Sequence, residues 1–184
     1  MEENIDFQTT LDETSIRFMP KLYFSLLELF EKANLKIAIT DNITGGHLIN
    51  NLNSNISTIN KFFLGGIVLN QIKTHTKLLG LIIETIKQHG FHSQAVTYEM
   101  AKGTKKLFGC DIGIAVSGIL KNESDKFDTN NYATIFVCIL LDKKKVEKHF
   151  KFYGRKESIL QETTETVLVL LKYFLMNYIN EKNL

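Results

Sequence analysis

Apolar residues recur along the chain with two different spacings. Helical spacing, as in Leu22, Leu26, Leu29 and Phe30, predicts helices over 20–33, 71–79, 82–89, 93–108 and 157–178, with a further helix after Gly46. Short apolar runs rich in β-branched residues predict strands over 35–40, 62–69, 111–119, 132–141 and 147–153. Strands that alternate with helices, followed by one late hairpin at 142–145, predict an α/β fold. We therefore expect a three-layer α/β/α domain with a mixed, mostly parallel sheet of about five strands.

Proline and glycine mark the ends and irregularities of these elements. Pro20 fits the first turn of a helix, where a missing N–H costs nothing. Gly80 and Gly90 follow helical segments and are predicted to cap their C-terminal ends. Gly65 and Gly66 fall in the middle of a strand, where glycine indicates a bulge or a close backbone approach.

The helix over 93–108 has a predicted start and a predicted buried face. Ser93 is the type of residue that caps a helix N-terminus with its side-chain oxygen. Its buried stripe is predicted to include Val96, Met100 and Leu107. Cys110 and Cys138 lie inside apolar runs, and we interpret both as buried free thiols.

Composition and charge limit the classes of protein to consider. The 22 basic and 20 acidic residues give +2, which does not indicate a nucleic-acid polycation. No apolar run approaches the roughly 20 residues of a membrane span. The charges divide at Pro20: residues 1–18 form an acidic N-terminal arm of −4 and residues 19–184 a single domain of +6. The N-terminal residues resemble neither a secretory signal nor a mitochondrial presequence, so we expect a cytoplasmic protein.

The turn from Asp41 to Gly46 is the best candidate for chemistry. It joins a predicted strand to a predicted helix, at the sheet edge where α/β proteins bind ligands. Glycine allows a ligand to approach the backbone, and a helix start favours an anion or a developing oxyanion. The alternative interpretation is a tight strand-to-helix turn that binds nothing.

An ordered series of motifs resembles the CinA C-terminal domain family, the competence/damage-inducible proteins that include nicotinamide-nucleotide amidohydrolases. The first motif, 37–46 (IAITDNITGG), resembles the family's Ala-Glu-Ser-Cys-Thr-Gly-Gly segment. The others follow in order at 63–68 (FLGGIV), 78–80 (LLG), 89–90 (HG) with Ser93, 99–103 (EMAKG) and 111–119 (DIGIAVSGI). The resemblance extends from about Pro20 to Phe174.

The resemblance implies a three-layer fold and a metal-independent amidase. The family deamidates nicotinamide mononucleotide by a serine nucleophile that is assisted by a lysine and a tyrosine. In this chain the serine position is Asn42, the tyrosine position is Asn70 and the lysine position is His75. All three catalytic positions have therefore changed, and a carboxamide is not a usable nucleophile.

The resemblance also implies a set of ligand-binding positions. The motifs retain Thr44, Gly45, Gly46, Gly65 and Gly66. Ser117 stands for a family threonine, and Arg155 and Lys156 stand for the family's Gly-Asp-Arg segment. The family's Gly-Pro-rich loop corresponds here to 120–131, which has neither residue type, so a backbone nest for phosphate is not expected there.

Three functional hypotheses follow. The first is a catalytically degenerate CinA-like protein that binds a nucleotide-like small molecule or has a regulatory role. The second is an active amidohydrolase that uses Thr44 as hydroxyl and His75 as base. The third is a structural or partner-binding module with a vestigial cleft. We expect no cofactor, metal, nucleic acid or membrane in any of them, and the resemblance implies a homodimer.

Overall fold

The computed structural model describes residues 14–55, 58–122 and 131–183 as a three-layer α/β/α domain. Its helices are α1 (Thr14–Ala33), α2 (His47–Asn55), α3 (Ile72–Leu79), α4 (Ile83–His89), α5 (Gln94–Phe108) and α6 (Lys156–Lys182). Its strands are β1 (Ile37–Asp41), β2 (Phe63–Val68), β3 (Ile112–Asn122), β4 (Asn131–Leu141) and β5 (Lys144–Gly154). A 3-10 turn over Ile59–Lys61 precedes β2.

The five strands form one mixed sheet in the order β2-β1-β3-β4-β5. The pairs β1–β2 and β1–β3 are parallel, whereas β3–β4 and β4–β5 are antiparallel. Since two antiparallel pairings separate β5 from β3, β5 runs in the same direction as β1. The carboxyl ends of β1, β2, β3 and β5 therefore lie at the same edge of the sheet. The predicted fold class and strand number are confirmed.

Two apolar clusters hold the helices on opposite faces of the sheet. The larger cluster joins α1, α2 and α6 to one face through side chains such as Phe30, Leu52 and Leu171. The smaller cluster joins α3 and α5 to the other face through Leu79, Met100 and Cys138. The predicted inner face of the last helix is confirmed, because Val167, Leu170, Leu171 and Phe174 are all buried.

Most of the predicted helix caps and strand irregularities are confirmed. The Ser93 hydroxyl accepts the Val96 N–H at the start of α5, and Gly80 and Gly90 cap α3 and α4 with positive φ. The register between β1 and β2 shifts between Phe63 and Gly65, as a bulge requires. Gly66 lies close to α2, since a Cβ there would be 2.6 Å from the Ile49 side chain.

Two predictions about helices are wrong. Helix α1 begins at Thr14, so Pro20 lies inside the helix and not in its first turn, and the last five residues of the predicted arm are helical. Packing against α6 holds α1 in place despite the hydrogen bond that proline removes. Leu107 is 44% exposed, because α3 ends at Leu79 beside Gly103, one turn before Leu107. Residues 1–13 and most of the predicted 120–131 loop lie outside the described residues.

Candidate functional site

The buried Asp41 carboxylate occupies the centre of the turn that follows β1. One of its oxygens accepts the N–H groups of Ile43 at 3.0 Å and Thr44 at 2.7 Å. The other accepts the N–H of Gly46 at 2.7 Å and the Thr44 hydroxyl. The turn therefore carries its own anion. A glycine-rich strand-to-helix turn was expected to bind an external anion at this place.

The retained Thr-Gly-Gly motif has a clear structural role at this turn. Gly45 and Gly46 have φ of 64° and 93°, a backbone conformation that favours glycine. The Thr44 hydroxyl also accepts the N–H of Leu48 at 3.3 Å and so caps the first turn of α2. Contact of Thr44, Gly45 and Gly46 with a ligand remains a prediction.

The Asn42 side chain is held at both ends of its carboxamide. Its Nδ2 donates to the Leu69 carbonyl at 2.8 Å, and its Oδ1 accepts from the Ser117 hydroxyl at 3.3 Å. The Asn42 backbone N–H also donates to the Val116 carbonyl at 2.9 Å. Asn42 therefore connects the carboxyl ends of β1 and β2 to the middle of the neighbouring strand β3.

The directions of these hydrogen bonds follow from elementary chemistry. The Leu69 carbonyl only accepts, so the atom that faces it must be the Asn42 amide nitrogen. The Asn42 oxygen then faces Ser117, whose O–H donates to it. His92 Nδ1 lies 3.4 Å from the Ser117 oxygen, and the tautomer with its proton on Nδ1 donates to that oxygen. The Ser117 hydroxyl thus donates toward Asn42, away from the nearby imidazole.

His75 is buried near these hydrogen-bonded side chains. Its Nδ1 donates to the Gln71 carbonyl at 3.0 Å, and its Nε2 has no hydrogen-bond partner among the described residues. The Phe91 ring packs edge-on against both imidazoles, with ring centroids 5.0 Å from His75 and 4.9 Å from His92. The structure therefore brings Asn42, Ser117 and His75 into one cluster with Phe91 and His92.

Burial keeps both imidazoles of the cluster neutral. Loss of solvent lowers the pKa of His75, and the bond to the Gln71 carbonyl opposes this only in part. Loss of solvent also lowers the pKa of His92, with a further lowering from the neighbouring His75. At neutral pH the lowered pKa favours the uncharged form of His75.

His92 and Phe91 are residues of this site that the sequence did not identify, and the hydrogen bonds of the Asp41 carboxylate were not predicted. His92 belongs to no metal-ligand spacing, and nothing local in the sequence distinguishes it. The useful signal was its position immediately before the Ser93 cap, because α5 begins near the level at which β1 ends. Asp41 was recognisable as an acidic residue directly before a strand-to-helix turn.

The other predicted positions lie around the cluster or away from it. Asn70 is exposed and directly follows Leu69, the residue that accepts from Asn42. Gly65 and Gly66 give room to Phe108 and Ile49, so the structure shows a packing role for both. Their contact with a ligand, like that of Ser117, stays a prediction.

Arg155 and Lys156 are not brought to the Asn42 cluster. They follow Gly154, which lies in the row of Asn122, whereas Ser117 lies in the row of His149 on β5. The two rows are five residues apart along β3, roughly 17 Å. Both cations are exposed at the start of α6.

Neither a metal centre nor a membrane span is found in the described parts of the chain. Across 14–55, 58–122 and 131–183, no group of three or more His, Cys, Asp or Glu side chains could hold a metal ion. Within the same ranges, no helix is both long enough and apolar enough to cross a bilayer. Cys110 and Cys138 are buried free thiols, as predicted, and burial raises the pKa of Cys138 to about 12.

Comparison with known proteins gives consistent relatives. The CinA C-terminal domain model matches residues 21–175. Protein MG115 of Mycoplasma genitalium is 30% identical over 152 residues, which cover 82% of this chain and 94% of that protein. A CinA-like protein of Thermotoga maritima is 28% identical over 82% of this chain. The match covers only 36% of the Thermotoga protein, so this chain corresponds to about a third of it.

Solved structures share the fold at low sequence identity. A competence-damaged protein (CinA) superfamily protein from Escherichia coli has a TM-score of 0.74 at 19% identity, covering 96% of this chain and 99% of the other. A protein of the same superfamily from Enterobacter cloacae has a TM-score of 0.73 at 20% identity, covering 95% and 99%. Both comparisons concern the fold alone.

Proposed function

The chain belongs to the CinA C-terminal domain family, and from this premise we propose that it binds a small nucleotide-like molecule without the family's deamidation reaction. The proposed site is the cluster of Asn42, His75, His92 and Ser117, which lies at the carboxyl end of β1 and beside the middle of β3. Its role is then that of a ligand-binding or regulatory protein.

One observation carries the proposal, namely the state of the residue at the family's nucleophile position. Asn42 has no hydroxyl, and both ends of its carboxamide are bonded, to Leu69 and to Ser117. Attack on an amide carbonyl needs an activated oxygen or sulfur nucleophile with a base beside it. The side chain at this position has neither feature and serves instead to join the ends of β1 and β2 to β3.

The two nearby hydroxyls do not favour an alternative amidase. The Thr44 hydroxyl donates to the buried Asp41 carboxylate and accepts from Leu48, so its proton and position are committed to the turn. The Ser117 hydroxyl donates toward Asn42, whereas a nucleophile would donate to its base. An amidase built on Thr44 and His75 would have to break the first of these arrangements.

The retained glycines and two cations complete the proposed site. Thr44, Gly45 and Gly46 shape the wall beside Asn42. Arg155 and Lys156 would meet an anionic ligand only if it extended along β3, or if a second copy of the chain supplied them. We also expect, by analogy with the family, a cytoplasmic homodimer.

Thermal unfolding with ligand tests the binding half of the proposal. We expect nicotinamide mononucleotide or nicotinate mononucleotide to raise the Tm, since a ligand at 100 times its Kd stabilises the folded state by about 2.7 kcal/mol. Replacing His92 with alanine is expected to remove this shift. The matched variant His149→Ala, at an exposed position on β5, is expected to keep it.

Two results would contradict this proposal. If neither nucleotide raises the Tm of the unmodified chain, the ligand-binding proposal fails and the structural-module hypothesis gains. If both variants keep the shift, the molecule binds elsewhere and the assignment to this cluster is wrong.

A further inference from the structure

One face of the sheet extends beyond the helix that covers it. On the α5 side, α5 begins at Gln94, whose side chain donates to the Val137 carbonyl at 3.0 Å. The strands β3, β4 and β5 continue past that row toward the carboxyl edge. We call this part the outer sheet face, and its side chains come from Ile119, Lys121, Tyr132, Thr134, Lys151 and Tyr153.

The outer sheet face carries exposed apolar and aromatic side chains among its lysines. Tyr153 is 68% exposed and Ile119 is 37% exposed. The Tyr132 and Tyr153 rings lie side by side with centroids 6.2 Å apart. Such a patch next to a candidate site indicates an interaction surface.

The same face is positively charged. Lys121 and Lys151 are exposed on it, and Arg155 and Lys156 follow directly at the end of β5. The ion pairs that the described residues form lie elsewhere, at Lys105–Asp142, Lys144–Glu181 and Lys145–Glu147. The chemistry that complements this face is therefore an acidic segment with apolar side chains.

The chain has a segment of this kind in residues 1–13. It contains five carboxylates and neither lysine nor arginine, so its side chains sum to −5, and Ile5 and Phe7 alternate with polar residues. Alternation with a period of two puts apolar side chains on one side of an extended segment.

Residues 1–13 precede α1, and α1 begins at the carboxyl edge of the sheet, where the outer sheet face lies. Helix α1 ends next to the start of β1, so it runs from the carboxyl edge of the sheet toward the amino edge. It packs beside α6, and the Glu165 carboxylate helps raise the pKa of Tyr23 to about 12 after the larger effect of burial. Helix α6 follows β5, so it also begins at the carboxyl edge. Thr14 and Lys156 therefore lie at the same end of the molecule, on helices that pack against each other.

We propose that residues 1–13 dock on the outer sheet face of their own chain, with the carboxylates near Lys121, Lys151 and Arg155 and the apolar side chains on Ile119 and the two tyrosines. Thirteen residues reach up to about 43 Å, enough to pass over the carboxyl edge from α1. The proposed docking surface ends next to the row of Ser117. The inference does not depend on which ligand that cluster binds.

A spin label on the segment tests the contact in the full chain. We would introduce Gln8→Cys and attach a nitroxide, since Cys110 and Cys138 are only 7% and 0% exposed and so are poorly accessible to the reagent. We expect the label to broaden backbone amide signals of 119–121 and 151–153 at about 0.1 M salt. At about 1 M salt, where the screening length falls from about 10 Å to 3 Å, the signals are expected to recover at least in part.

Charge variants supply the matched comparison. Lys121→Glu with Lys151→Glu is expected to abolish the broadening, whereas Lys77→Glu with Lys102→Glu, at exposed positions on α3 and α5, is expected to leave it unchanged. Changing the five carboxylates of the segment to amides is expected to have the same effect as the first pair.

Three results would overturn the proposal. The first is an absence of broadening on the outer sheet face at low salt. The second is an equal loss of broadening in both double-lysine variants, which would mean a nonspecific charge effect. The third is broadening that arises only between a spin-labelled chain and a separate isotope-labelled chain, which would make a second copy the occupant.

Discussion

The Asn42 carboxamide donates a 2.8 Å hydrogen bond to the Leu69 carbonyl and thereby joins the end of β1 to the residue that follows β2. A serine at this position is too short to make the same bond and also reach Ser117. Under the proposed correspondence with the family's serine, Asn42 provides a structural link between strands in place of a reactive group.

Removing this link is expected to destabilise the fold. Asn42→Ala leaves the Leu69 carbonyl and the Ser117 hydroxyl without their partner, and we expect a loss of about 1–3 kcal/mol in the free energy of unfolding. Urea denaturation measures the difference. The matched variant Ser54→Ala, on an exposed face of α2, is expected to change the free energy by less than about 0.5 kcal/mol. Equal stability of the two variants would show that the Asn42 link contributes nothing.

Loss of the Asp41 carboxylate is expected to lower the free energy of unfolding strongly. Asp41→Asn removes the anion that accepts the N–H groups of Ile43, Thr44 and Gly46. The amide nitrogen that replaces one oxygen would face some of these N–H groups and could not accept from them. We expect a loss of about 3 kcal/mol or more, since hydrogen bonds to a buried charge are among the stronger ones. Asp142→Asn, which removes a surface ion pair with Lys105, serves as the control in the same denaturation experiment. A nearly neutral Asp41→Asn would contradict the role of the carboxylate as the internal anion of the turn.

The buried imidazoles are expected to make stability fall at acidic pH. Because the pKa values of His75 and His92 are lower in the folded chain than in the unfolded chain, the unfolded chain binds more protons. The contribution of neutral burial is fully present above about pH 6.5 and is lost as the pH falls below that value toward the folded pKa. A titration of the ring proton signals by NMR measures both pKa values directly. A His75 pKa at or above 6.5 would contradict the burial that the structure shows.

The sheet and its helices were predictable because their signal lies in the spacing of neighbouring residues. The apolar run of β1 and the helical spacing of Val167, Leu170, Leu171 and Phe174 needed no long-range information. The start of α1 was not predictable in this way. Pro20 obeyed a local rule for a helix start, but the contacts of α1 with α6 decide where the helix runs.

The candidate site was predictable only in part. The motif resemblance identified Asn42, His75 and Ser117, and the structure brings these three together. It did not identify His92 or Phe91, because their relation to Ser117 and His75 arises from the crossing of α5 over the sheet edge. The hydrogen bonds of Asp41 likewise depend on the turn geometry, so the anion that occupies the turn appears only in three dimensions.

The most direct test of the central claim is the release of ammonia from nicotinamide mononucleotide by the purified chain. We expect no release above the background without protein, because Asn42 provides no nucleophile and the hydroxyls of Thr44 and Ser117 are committed to other partners. The triple variant Asn42→Ser, Asn70→Tyr, His75→Lys is expected to recover at most weak activity, with His149→Lys as its inactive control. Clear turnover by the unmodified chain that disappears in Thr44→Ala or His75→Ala would contradict the account and identify an amidase with unusual catalytic residues.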